Sequence, residues 1–131
     1  MEIILTEVQG RPTNKFYDPD KANNGGGYWQ YDGSAVAKIG DKTVRVEVCD
    51  DSCGDFGTRY AAIVTYGIKC WYLAWGSMDG VHPDRELYRD ISLELECSLN
   101  DLLDRVFDAV DAAAWKEMRG HEIIHEGGWH A

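Results

Sequence analysis

Between Leu99 and Met118 the apolar residues Leu99, Leu102, Leu103, Val106, Phe107, Val110, Ala114 and Met118 recur at spacings of 3, 1, 3, 1, 3, 4 and 4. A helix of 3.6 residues per turn gathers those positions onto one face, so the segment is predicted as an amphipathic helix that needs an apolar surface to lie on. Ser98 stands where the helix would begin, and Asp101 three residues later completes an aspartate version of the capping box. Gly120 is the expected stop.

The surface for that helix is upstream. Glu2 to Val8 is a β-branched run that reads as a strand. Ser34 to Ile39 and Thr43 to Val48 flank Gly40-Asp41-Lys42, a hairpin turn, and Val44, Val46 and Val48 alternate with Arg45 and Glu47 so that one face is buried. Tyr60 to Tyr66 and Ile68 to Trp75 form a second pair that pivots at Gly67. There Trp71, Leu73 and Trp75 share one face and Cys70, Tyr72 and Ala74 the other; with both faces rather apolar, this is a central strand or one whose second face takes a ligand. Ile91, Leu93, Leu95 and Cys97 alternate with Ser92, Glu94 and Glu96, which predicts a sixth strand with an acidic exposed face. The expected fold is α+β: an antiparallel sheet of five to six strands packed in two layers against one C-terminal amphipathic helix. At 131 residues the chain is expected to be a single domain, 1–131, with a long irregular loop over 9–33 and a short polar tail over 120–131. Pro12, Pro19 and Gly25 to Gly27 mark the loop, and its length makes it a candidate functional segment.

Charge is distributed unevenly. The formal net charge is −10; residues 1–78 hold 10 acids and 8 bases, and residues 79–131 hold 13 acids and 5 bases. Such a surface repels phosphate backbones, so direct nucleic-acid binding is disfavoured. On the predicted helix Asp101, Asp104, Asp108 and Asp111 fall within an arc of about 80° beside the apolar face, and Trp115 continues the stripe, with Arg105 the one nearby base. A solvated face that keeps the domain soluble is the plainer reading. Like charges three and four apart nevertheless cost a helix a few tenths of a kcal/mol per pair, and aspartate is a weak helix former, so solubility alone would be better served by Glu/Lys pairs. The stripe, with Glu94 and Glu96 beside it, also suits docking against a basic groove.

No apolar run is long enough to span a bilayer, and the start of the chain lacks the basic and apolar regions of a signal peptide. Cys49, Cys53, Cys70 and Cys97 are expected to be reduced, structural thiols in a cytoplasmic setting, with Cys70 and Cys97 inside apolar runs. Adjacent Asp50 and Asp51 would raise a thiol pKa and so argue against Cys53 as a nucleophile.

His121-Glu122-Ile123-Ile124-His125 matches the zincin pattern, in which two imidazoles one helical turn apart hold zinc and the glutamate polarises water. It resembles the longer metzincin pattern over ten residues, but Ala131 stands where the third histidine belongs and His130 is one residue early. A solvated polar tail or a short terminal strand is the plainer reading; zinc held by His121, His125 and His130 is the alternative. Asp18, Asp20 and Asn24 do not complete a calcium loop because Ala22 occupies a ligand slot. Tyr28, Trp29 and Tyr31 are read first as the edge of a core, and second as interface anchors.

Three functions are compatible with these features. The first is a non-enzymatic inhibitor or interaction protein whose acidic part occupies the basic, nucleic-acid-binding site of a partner protein, such as a host defence nuclease complex; Asp101, Asp104, Asp108, Asp111, Trp115, Glu94, Glu96, Trp29 and Tyr31 would carry it. In size and charge alone this is similar to the small acidic anti-defence proteins of phages and mobile elements, some of which mimic nucleic acid. The second is a zinc-dependent hydrolase on His121, Glu122 and His125. The third is a nucleotide-binding module on the aromatic sheet face of Trp71, Tyr72 and Trp75, with Arg45, Arg59 and Lys69 as its cations.

Overall fold

The computed structural model describes residues 2–14, 17, 28–52, 57–76 and 82–124. Five strands come first: β1 (Ile3–Pro12), β2 (Tyr31–Ile39), β3 (Lys42–Ser52), β4 (Thr58–Tyr66) and β5 (Lys69–Gly76). They form one antiparallel sheet in the order β1-β2-β3-β4-β5. Two helices follow, α1 (Arg85–Leu95) and α2 (Leu99–Ile124). The predicted α+β class, with the C-terminal helix packed on the sheet, is the observed one.

The β2–β3 hairpin closes at Gly40, which adopts φ 62, so that Ile39 pairs with Lys42; the β4–β5 hairpin turns in the same way at Gly67, φ 61. Alternation then assigns the faces. Ala35, Ala37, Ile39, Val44, Val46, Val48, Ala62, Val64 and Leu73 point to the helices and are buried. Arg45, Glu47, Cys70 and Tyr72 lie on the opposite, helix-free face and are exposed.

The helix period from Leu99 to Met118 translates directly into packing. Leu99, Leu102, Leu103, Val106, Val110, Ala114 and Met118 are buried. Ser98 Oγ accepts from Asp101 N at 3.3 Å, which satisfies one of the free donors of the first turn. The helix runs past Gly120 to Ile124. It lies chiefly over β1 and β2, and two glycines allow it to come so close. Gly10 and Gly33 are cross-strand partners. A Cβ on Gly10 would lie 2.2 Å from the Val110 carbonyl oxygen; one on Gly33 would lie 2.0 Å from the Gln9 carbonyl oxygen and 2.6 Å from Val110 Cγ1. Both glycines fall in the segment read as irregular loop. Strand β1 instead continues to Pro12 through an irregularity between Thr6 and Gln9, where Glu7 takes φ 52, and β2 starts at Tyr31.

The predicted sixth strand is not one. Ile91 and Leu95 belong to α1, where an i, i+4 pair is buried and the intervening Leu93 is 70% exposed. Asp84 caps this helix by accepting from Leu87 N at 3.1 Å, and Glu96 ends it in the left-handed region at φ 55. Over four residues the alternation of Ile91, Leu93, Leu95 and Cys97 is strand-like, but Leu87 and Tyr88 extend the period to that of a helix, and the helix buries more of it. Leu99 N donates to Ser92 Oγ at 3.0 Å and ties the end of α1 to the start of α2. No helix of the described residues is long and apolar enough to cross a membrane.

Candidate functional site

On the helix-facing side of the sheet, Tyr31, Asp50, Tyr60 and Trp75 are successive cross-strand partners on β2, β3, β4 and β5. They make one lateral row of three aromatic rings and a carboxylate. Asp50 arises from simple alternation: Val44, Val46 and Val48 face inward, and the next inward position of β3 is an aspartate. The predicted aspartate stripe on α2 lies along this row, and two clusters result.

In the first, Trp29 Nε1 donates to Asp111 Oδ1 at 2.7 Å. The Trp29 ring stacks on Trp115 with centroids 4.2 Å apart and planes 22° apart, and Tyr17 packs against both. Tyr31 is only 4% exposed and hydrogen-bonds Asp50. Burial, then the hydrogen-bonded and charged carboxylates of Asp50 and Asp111, drive the Tyr31 phenol far above its ordinary range. Burial also pushes the Asp50 carboxyl up to about 6; Tyr31 opposes that shift, and Asp111 and Asp51 add to it. One oxygen of Asp50, Oδ1, is buried with no hydrogen-bond partner. This cluster is closed on itself.

The second cluster surrounds an open hollow of about 460 Å³ between α1, α2 and the β4–β5 end of the sheet. Tyr60 and Trp75 form its aromatic row, with centroids 5.4 Å apart and planes 23° apart. Phe107 of α2 stands nearly perpendicular to both, and Tyr88 of α1 nearly perpendicular to Trp75. Asp104 and Asp108 line the α2 side, and no lysine or arginine is among the described lining residues. Tyr88 Oη is buried without a hydrogen-bond partner, and burial pushes this phenol up to about 12.

The predicted interaction residues therefore separate. Asp101, Asp104 and Asp108 are exposed, and among the described residues no ion pair reaches them. Asp111, Trp115, Trp29 and Tyr31 are turned toward one another, whereas Tyr28, read with Trp29 and Tyr31 as a core edge, is 47% exposed. Glu94 lies on α1 and pairs with Lys69; Glu96 caps α1 and pairs with Lys42 at 3.0 Å.

The three cations of the nucleotide reading are also apart. Arg45 sits opposite Thr65 on the helix-free face, six positions along β4 from Arg59, or roughly 20 Å. Lys69 is engaged by Glu94. Trp71 and Trp75 face the helices whereas Tyr72 faces away, 66% exposed, so they do not form one platform. Cys49, Cys70 and Cys97 are free thiols, and Cys70 is exposed rather than inside an apolar layer.

His121 and Glu122 fall on the last turn of α2, while His125 and His130 lie outside the described residues, as do Cys53, Asp18, Asp20 and Asn24. Among the described residues no group of three or more His, Cys, Asp or Glu side chains is placed to hold a metal ion.

Sequence reading missed Asp50, Tyr60 and Tyr88 as site residues. Continued alternation through β3 is the signal for Asp50; Tyr88 precedes the Ile91 to Cys97 segment read as a strand and falls in no predicted element. Compared with known proteins, the chain matches no protein family, no curated protein and no solved structure.

Proposed function

We propose that this protein is a small acidic, non-enzymatic interaction protein that occupies a basic, nucleic-acid-binding surface of a partner protein, of the kind a defence nuclease presents. The observation that carries the reading is that Asp101, Asp104 and Asp108 are exposed in a row on one rigid helix, without an ion pair among the described residues, beside an aromatic hollow. A repulsive row of short carboxylates on a rigid scaffold is a preorganised complement to a row of lysines and arginines, and preorganisation lowers the entropic cost of docking. The net charge of −10 adds long-range steering toward such a surface and keeps the protein off nucleic acid itself. Glu94 and Glu96 contribute to this field less than their number suggests, because Lys69 and Lys42 offset them.

The test is capture from a lysate at low salt on the immobilised wild type and on Asp104→Lys/Asp108→Lys, followed by competition with duplex DNA. The reading expects a partner that is released as ionic strength rises, is displaced by DNA and is not retained by the double variant. Equal retention by both proteins, or indifference to DNA, contradicts it.

A further inference from the structure

We propose that the hollow between α1, α2 and the β4–β5 end of the sheet receives an arginine side chain of the partner, stacked among Tyr60, Trp75 and Phe107 and anchored by Asp104 and Asp108. This rests on the reading of the protein as a binder of basic surfaces and names the group that would anchor it.

Two independent features of the hollow point to a planar cation. The rings of Tyr60, Trp75, Phe107 and Tyr88 all line the hollow, Tyr60 and Trp75 nearly parallel and Phe107 and Tyr88 nearly perpendicular to Trp75, so an occupant enters an aromatic enclosure of the kind that attracts cations. The charged groups among the described lining residues are both carboxylates, Asp104 and Asp108, one helical turn apart on α2.

A guanidinium meets both features. It is flat and stacks on rings, it has five N–H donors for two carboxylates, and it is more weakly hydrated than an ammonium. A lysine ammonium can satisfy the carboxylates but gains less from the rings and loses more hydration on entering.

Binding of blocked hexa-arginine and hexa-lysine peptides, followed by calorimetry at low salt, tests the proposal. The hollow predicts that hexa-arginine binds about tenfold more tightly than hexa-lysine. It also predicts that the preference disappears in Trp75→Leu. Should Trp75→Leu fail to fold, the indole N–H resonance of Trp75 in the wild type, assigned by its absence from a Trp75→Phe spectrum, provides the same readout. It shifts on adding hexa-arginine and stays in place with hexa-lysine.

Equal affinity for the two peptides, with no movement of the Trp75 resonance, overturns the arginine pocket while leaving the acidic-surface reading intact. Binding of neither peptide to the wild type removes both.

Discussion

Along one side of α2, two clusters are built from the same materials, aromatic rings and aspartates, yet they differ in what remains unsatisfied. Around Asp111, the indole of Trp29 donates to the carboxylate and the rings of Trp115, Tyr17 and Tyr31 close over the pair. Around Asp104 and Asp108, within two turns earlier on the helix, the carboxylates have no ion pair among the described residues and a hollow is left between the layers; each cluster keeps one buried oxygen without a partner, Asp50 Oδ1 in the first and Tyr88 Oη in the second. An aspartate stripe on a helix is therefore not one functional unit. Position decides: α2 touches the sheet where Gly10 and Gly33 remove side chains, and where the large rings of Tyr60, Trp75 and Tyr88 stand between the layers the hollow opens. The first cluster orders the fold; the second is available.

The largest effect is expected at the close approach that sets this geometry. Gly10→Ala places a methyl group against the Val110 backbone, which cannot yield as a flexible side chain would, and should cost about 3 kcal/mol in denaturant unfolding. A loss below about 1 kcal/mol would mean that α2 does not lie where described.

Next in size is the contrast between the two kinds of aspartate. Asp111→Ala strands the Trp29 indole N–H in a half-buried site and should destabilise by about 2 kcal/mol. Asp104→Asn and Asp108→Asn, which remove only mutually repelling exposed charge, should stay within about 0.5 kcal/mol of the wild type. Equal losses at all three sites would erase the distinction between the clusters.

Asp50 sharpens the comparison further. Its folded-state carboxyl titrates near 6, above the ordinary value of about 3.9, so the fold holds its proton more tightly than the unfolded chain does. Its contribution therefore favours the fold at acid pH and is lost as pH rises through about 6. Asp50→Asn keeps an oxygen for the Tyr31 hydroxyl and cannot ionise. It should raise stability at pH 7.5 by about 1 kcal/mol, allowing for solvent screening of this half-buried group, and flatten the pH dependence between 4 and 7. Destabilisation by this substitution at pH 7.5 would show that the charged form is the one the cluster stabilises.

What was legible in the chain follows the reach of each physical signal. Periodicity over many residues is unambiguous, so the packed face of α2 from Leu99 to Met118 and the strands around Gly40 and Gly67 could be read directly. A short alternation is not, and Ile91 to Cys97 imitates a strand although Leu87, Tyr88, Ile91 and Leu95 form a helix face. The stripe of aspartates could be placed on one side of a helix but not sorted. Which member is neutralised depends on Trp29, far away in sequence, and on which large rings stand between the layers. Gly10 and Gly33 carried a usable hint, since a glycine inside a strand often marks close backbone approach, but Pro12 and the glycines nearby drew the segment toward a loop.

The central claim is that Asp104 and Asp108 border an available site for a cation while Asp111 belongs to a structural one. Its most direct test is the melting temperature of the wild type, Asp104→Asn/Asp108→Asn and Asp111→Ala, each with and without hexa-arginine. At a peptide concentration about a hundred times the wild-type Kd, the wild type should rise by roughly 10 °C. Asp111→Ala should start lower and rise by the same increment, and Asp104→Asn/Asp108→Asn should start near the wild type and not rise. A shift retained in the double variant, or lost only with Asp111, contradicts the account.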